Sequence, residues 1–218
     1  MTAAACMVVM TVACSSAVNK SLAPGSSETP QKPEFTQVTT SMFVDRSAVP
    51  NSAAMEFTAP SISSYQPGSA DLVDPPECAP IFWGPDGTQA GSVSWSTMRS
   101  AGTSTNNEGK VFNLFLAVPT ERPDFNSLLG KCGTIEYQGV TTTVSPLPLP
   151  GLPSWSTATR ITAQGADAAA AGAGIVGFCR GLFVSALFNQ KSGGDLSPND
   201  TNALVKLFND QVAKLEAI

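Results

Sequence analysis

The sequence predicts an α+β domain: an antiparallel sheet with a few short helices and an amphipathic C-terminal helix packed on it. Two patterns carry this. Between residues 92 and 188, apolar stretches of strand length alternate with Gly, Pro and Asn turn signals. After Ser197 the apolar residues recur at helical spacing instead. Strands in the middle and one packed helix at the end are the arrangement of an α+β layer fold.

The chain has 218 residues, 42% hydrophobic and 13% charged, which is too apolar for a disordered polymer. Residues 1–14 read as a lipoprotein signal segment. The apolar run at 3–13 is uncharged and, at about eleven residues, fits the h-region of an export signal rather than a membrane span of ~20. It ends in Thr11-Val12-Ala13-Cys14, small residues before a thiol, so Cys14 is the expected lipidation site. The box resembles the bacterial lipobox, with Thr11 standing where Leu is usual. Cys6 is a weaker candidate. A positively charged n-region is missing, and Met1 is expected to be an internal start of a longer precursor. Residues 15–35, rich in Ser, Pro, Lys and Glu, have little to bury and read as a flexible tether. Residues 36–218 then form the domain.

Within it, residues 36–72 give only short extended pieces and a helical turn, interrupted by Pro50, Pro60 and Pro67. Pro75-Pro76-Glu77-Cys78 opens a short helix through Trp83, closed by the turn Gly84-Pro85-Asp86-Gly87. Strands are predicted at 92–98 and 111–118, joined by a turn at 106–109. A short helix at 123–130 ends on glycine. Further strands are predicted at 134–144 and 154–164, joined by the proline-rich run 146–153, a stiff connection. The Ala/Gly-rich stretch 166–174 is expected to be a loop, and 175–179 and 182–188 are strands. Ser197 is an N-cap, Pro198 sits at the first helical position and Asp200 meets the positive helix end.

Composition narrows the chemistry. The net charge is −5 and the twelve Lys and Arg are spread thinly, so nucleic acid is not the partner. There is no histidine, which removes Ser-His-Asp and Cys-His arrangements and His-based zinc sites. A local Ser-x-x-Lys dyad is absent as well: Lys32 alone has a hydroxyl three residues before it, on Thr29, inside the tether. Carboxylates are scattered. No cofactor, no metal site and no enzymatic activity are expected.

Three cysteines remain in the domain: Cys78, Cys132 and Cys179. Outside the cytoplasm thiols pair, and three cysteines allow three single bridges. Turn-rich contexts around Cys78 and Cys132 favour those two, with Cys179 buried in an apolar strand as a small hydrophobe.

Pro-Pro-Glu-Cys at 75–78, Trp95 in an alternating strand, Leu129-x-x-Cys132-Gly133 and the C-terminal strand and helix resemble mycobacterial exported lipoproteins. These share a domain with the extracellular sensor region of the PknH serine/threonine kinase. The resemblance covers residues 36–218. It implies a sensor-type domain with an open cleft, an unidentified small-molecule or lipid ligand, and no known enzymatic activity. That sensor region carries two disulfides; here only Cys78 with Cys132 carries over. The expected protein is a non-enzymatic lipoprotein at the outer face of the cell membrane, held there by a lipid anchor. A structural or adhesive surface protein is the alternative, and an envelope hydrolase a more distant one. A cleft lined by apolar and aromatic side chains is expected between sheet and helices, with Trp95 as its reporter and Phe82 and Trp83 as further contacts.

Overall fold

The computed structural model describes residues 32–97, 109–137, 139–164, 169–190 and 194–218. Among them, nine strands make one sheet: β1 (Glu56–Ser64), β2 (Val73–Asp74), β3 (Gly87–Ser96), β4 (Lys110–Pro119), β5 (Thr134–Tyr137), β6 (Val140–Pro146), β7 (Thr157–Gln164), β8 (Ala169–Cys179) and β9 (Leu182–Gln190). Their order across the sheet is β1-β3-β4-β9-β8-β7-β6-β5-β2. Every neighbouring pair is antiparallel. Three helices join it: α1 (Ala79–Trp83), α2 (Phe125–Lys131) and α3 (Pro198–Ala217). The α+β architecture read from the sequence is the observed one.

Alternation sorts the central strands into two faces. On one face Trp95 lies opposite Phe112, Phe112 opposite Phe188, and Phe188 opposite Ala173. The next row is Val93, Leu114, Ala186 and Ile175, again buried. Helix α3 covers this face with Leu204, Leu207, Phe208 and Leu215, all fully buried. Val38, Phe43, Val49 and Met55 from the segment before β1 complete the core. Gln211 is a buried polar residue on α3, and both ends of its amide are used. Its Oε1 accepts from the Val44 amide at 3.1 Å and its Nε2 donates to the Met42 carbonyl at 2.8 Å. The N-terminal segment is thereby pinned to the helix, since leaving either group unpaired would cost about 1–3 kcal/mol.

Helix α3 begins as the sequence predicts. Ser197 Oγ accepts from the Asp200 amide at 3.1 Å, and Asp200 pairs with Lys110 of β4 at 2.9 Å, tying the helix start to the sheet. Helix α2 begins at Asp124, whose carboxylate accepts from the Asn126 and Ser127 amides, and runs one residue past Gly130.

Strands β8 and β9 are joined by Arg180 and Gly181, both with positive φ, as a tight two-residue hairpin of this twist requires. The first described residues dock beside this turn. The Phe35 amide donates to the Arg180 carbonyl at 2.8 Å, and the Arg180 guanidinium lies 4.1 Å from the Phe35 ring centroid.

Four expectations differ. Residues 169–174 are strand, not loop; residues 166–168 lie outside the described residues. A Cβ on Gly172 would come within 2.7 Å of the Phe188 carbonyl, so the small residues there serve close strand packing. The single strand expected at 134–144 is a hairpin, β5 and β6, turning at Gly139 with φ +78. The Pro60 region, read as interrupted, is the nine-residue β1. Pro60 is tolerated because β1 is an edge strand, and its pairing with β3 shifts register between Thr58 and Ser61. The strand expected at 92–98 begins earlier, at Gly87, and ends at Ser96. The turn expected at 106–109 falls largely outside the described residues.

Candidate functional site: a cleft on the open face of the sheet

The second face of β3, β4, β9, β8 and β7 is not covered by α3. Above it stand α1 and the loop at residues 65–68, enclosing a cavity of about 330 Å³. This is within the size range of small-molecule pockets.

The roof is fixed by three local features. The sequence Pro76–Cys78 forms a 3-10 turn leading directly into α1, with Pro80 in the first helical turn. The helix ends at Gly84, whose φ is +77; a Cβ there would lie 2.7 Å from the Phe183 ring. Glycine is needed at this point both for the backbone sign and for the close approach. Gly68 packs against the Trp83 indole, where an added Cβ would sit 2.4 Å from the ring. Tyr65 reaches up from the end of β1 and donates its hydroxyl to the Trp83 carbonyl.

A disulfide holds the roof in place. Cys78 and Cys132 are bridged, with Cα atoms 5.8 Å apart, so α1 is tied to the C-terminal end of α2. Around the bridge lie Val73, Leu129, Ile135 and Val144, a small second core under Phe82, Trp83 and Tyr137. The Trp83 and Tyr137 rings meet edge-on at 5.4 Å. Cys179 is buried on β8, away from this bridge, and its thiol donates to Glu216 at 3.2 Å.

The floor comes from alternate residues of the central strands. Ser92 lies opposite Phe115, Phe115 opposite Ser185, and Ser185 opposite Val176. The adjoining row brings Asn113, Leu187, Gly174 and Thr159 side by side. At one end Phe183 stacks with Phe125 at 5.6 Å and meets Phe178 at 5.7 Å, closing the cleft with rings.

Among the described residues, no Asp, Glu, Lys, Arg or Cys lines this cavity. Among the described lining residues, Tyr65 is the one ionisable group. Partial burial and the negative charge of Asp86 push that phenol up to about 12, so it keeps its proton throughout the physiological range. The Trp83 indole nitrogen is buried without a hydrogen-bond partner among the described residues.

The aromatic residues singled out in the sequence separate here. Phe82 and Trp83 line the cleft. Trp95 does not: it is fully buried on the opposite face, and its indole N–H donates to the Arg46 carbonyl at 2.8 Å. The reason is parity. In the alternation of β3, Trp95 shares its side with Val93, while Ser92 points to the cleft. Trp155 likewise packs on the helix side, 5.9 Å from Phe208. Tyr65 and the floor residues Ser92, Asn113 and Ser185 were not singled out from sequence. Ser185, a hydroxyl inside the apolar run 182–188, was the one local signal.

The chain matches no family model and no curated protein. Among solved structures it is similar to the extracellular domain of PknH from Mycobacterium tuberculosis, with a TM-score of 0.49 and 14% identity over 84% of this chain and 99% of that one. It is also similar to an uncharacterised Mycobacterium smegmatis protein, the Rv0999 ortholog, with a TM-score of 0.43 and 16% identity over 74% of this chain and 87% of that one. The kinase whose sensor region the sequence resembles is the first of these two. Among the described residues, no helix is long and apolar enough to cross a membrane.

Proposed function

We propose that this chain is a non-enzymatic, extracytoplasmic binding domain whose cleft holds a small, largely apolar molecule. The observation that carries this reading is the cleft itself. It is concave, roofed by Phe82 and Trp83, floored by Phe115, Phe183 and Val176, and spaced by a few polar groups. That mixture is typical of small-molecule sites. A hydrolytic or transfer reaction needs a base or an activated nucleophile. Among the described residues, the hydroxyls of Ser92 and Ser185 have no carboxylate, lysine or histidine beside them on the cavity wall. The Cys78–Cys132 bridge supports an oxidising compartment, where such bonds persist.

Native mass spectrometry of the protein purified from its own envelope tests the binding reading. A non-covalent adduct of constant mass is expected, and Ser185→Phe, which fills the cavity from its floor, should remove it. Absence of any adduct, or one that survives Ser185→Phe, contradicts the reading.

The domain is held at the outer face of the membrane, in this proposal, by acyl chains on Cys14. Two or more chains give stable anchoring where a single one is marginal. Cys14→Ser should move the protein from the membrane to the soluble fraction; a variant that still sediments with membranes and keeps its lipid label refutes the anchor.

A further inference from the structure

We propose that the cleft selects an electrically neutral molecule with a flat apolar body and a hydroxyl or carbonyl group seated at Ser185. This inference rests on the cleft being a binding site and specifies what that site accepts.

Two observations define the class. The first is the cavity wall, whose described residues include no ionised side chain to oppose a charge on the ligand. Tyr65 stays neutral because burial, and then the charge of Asp86, push its ionisation up to about 12; its hydroxyl donates to the Trp83 carbonyl. Asp86, whose charge acts on Tyr65, is an exposed residue outside the described lining. A charged ligand would shed its water without gaining a counter-charge, which costs several kcal/mol.

The second observation is the polar groups of the floor. Ser185 is only 5% exposed, yet it faces the cavity and its hydroxyl has no side-chain hydrogen bond among the described residues. It sits between Phe115 and Val176 on neighbouring strands, so apolar side chains flank its hydroxyl on both sides. Ser92, on the far side of Phe115, is a second hydroxyl on the cavity lining. A pure hydrocarbon would dehydrate these groups and leave them unmatched, at about 1–3 kcal/mol each. A ligand hydroxyl or carbonyl removes that cost, while its flat body meets Phe82, Trp83 and Phe115. Serine hydroxyls both donate and accept, which suits either group.

Four probes with one ring system separate the possibilities: naphthalene, 2-naphthol, 2-naphthalenesulfonate and 1-naphthylmethylamine, titrated at neutral pH by ligand-observed NMR. The expected order places 2-naphthol about tenfold tighter than naphthalene, the gain of about one well-placed hydrogen bond. Both charged probes should bind at least about tenfold more weakly than 2-naphthol, for want of a counter-charge. Ser185→Ala should bring 2-naphthol and naphthalene to within about threefold of each other, leaving naphthalene affinity unchanged or improved. Trp83→Phe, which keeps a ring in the roof and leaves Ser185 in place, is the second variant and should weaken both neutral probes alike, so that the preference for 2-naphthol remains. Equal binding of a charged probe and 2-naphthol overturns the inference, as does a naphthol preference that Ser185→Ala leaves intact. In both of those cases the cleft still binds apolar rings, so the proposed function survives. Failure of all four probes to bind overturns both.

Discussion

Trp95→Ala is expected to lower the stability of the domain by about 4 kcal/mol, as removal of a fully enclosed tryptophan leaves a cavity that the neighbouring strands cannot close. Trp95 is 0% exposed and packs on Phe57 at 5.4 Å, with Phe112 opposite it in the pairing of β3 and β4. Its indole N–H also satisfies the Arg46 carbonyl, which the variant would leave unpaired. For a domain of this size the loss corresponds to about 8–16 °C in Tm. Trp95→Phe keeps most of the ring packing and loses the hydrogen bond, so a smaller cost of about 1–2 kcal/mol is expected. Urea unfolding of the three proteins measures this. A Trp95→Ala cost below about 1 kcal/mol would mean that the tryptophan is not where the fold puts it.

Removing the disulfide should have an effect of similar size but a different character. Cys78 and Cys132 are 54 residues apart in sequence, and on the chain-entropy view the link contributes about 4 kcal/mol by restricting the unfolded chain. The Cys78→Ala/Cys132→Ala double variant should therefore melt about 8–16 °C lower. The cleft should suffer first. The bridge joins α1 to α2 within the small core of Val73, Leu129 and Ile135, separate from the large core under α3. Loss of the link loosens the roof carrying Phe82 and Trp83 while the Trp95 side of the sheet stays packed. Near-ultraviolet circular dichroism and thermal melting should show the change in aromatic environment before global unfolding. A double variant with an unchanged melt would contradict the role given to the bridge.

Much of this fold can be read in the residues, and the parts that cannot have physical causes. Helix α3 was legible because Ser197, Pro198, Asp200 and a continuous apolar stripe all agree. The bridge was legible because only three domain cysteines exist and two of them sit beside turns. Strand β1 was hidden because Pro60 and its serines argue against a strand unless one knows that it lies at the sheet edge. The start of β8 was hidden because alanine and glycine carry no period; their role appears only when β7 and β9 close in on them. For the cleft, Phe82 and Trp83 could be singled out as aromatics beside a turn. The assignment of Trp95 failed because alternation says that a strand has two faces and not which of them α3 will cover. The roof loop at 65–68 meets the floor strands only through tertiary folding, and nothing local marks Tyr65 as a partner of Trp83.

The central claim is that a ligand enters on the Trp83 side of the sheet and not on the Trp95 side. The protein has three tryptophans, so its ¹H–¹⁵N spectrum holds three indole N–H signals, assignable from single Trp→Phe variants. Addition of 2-naphthol should shift the Trp83 signal, whose N–H has no partner among the described residues, and leave Trp95 and Trp155 in place. Movement of the Trp95 signal with a stationary Trp83 would contradict the account.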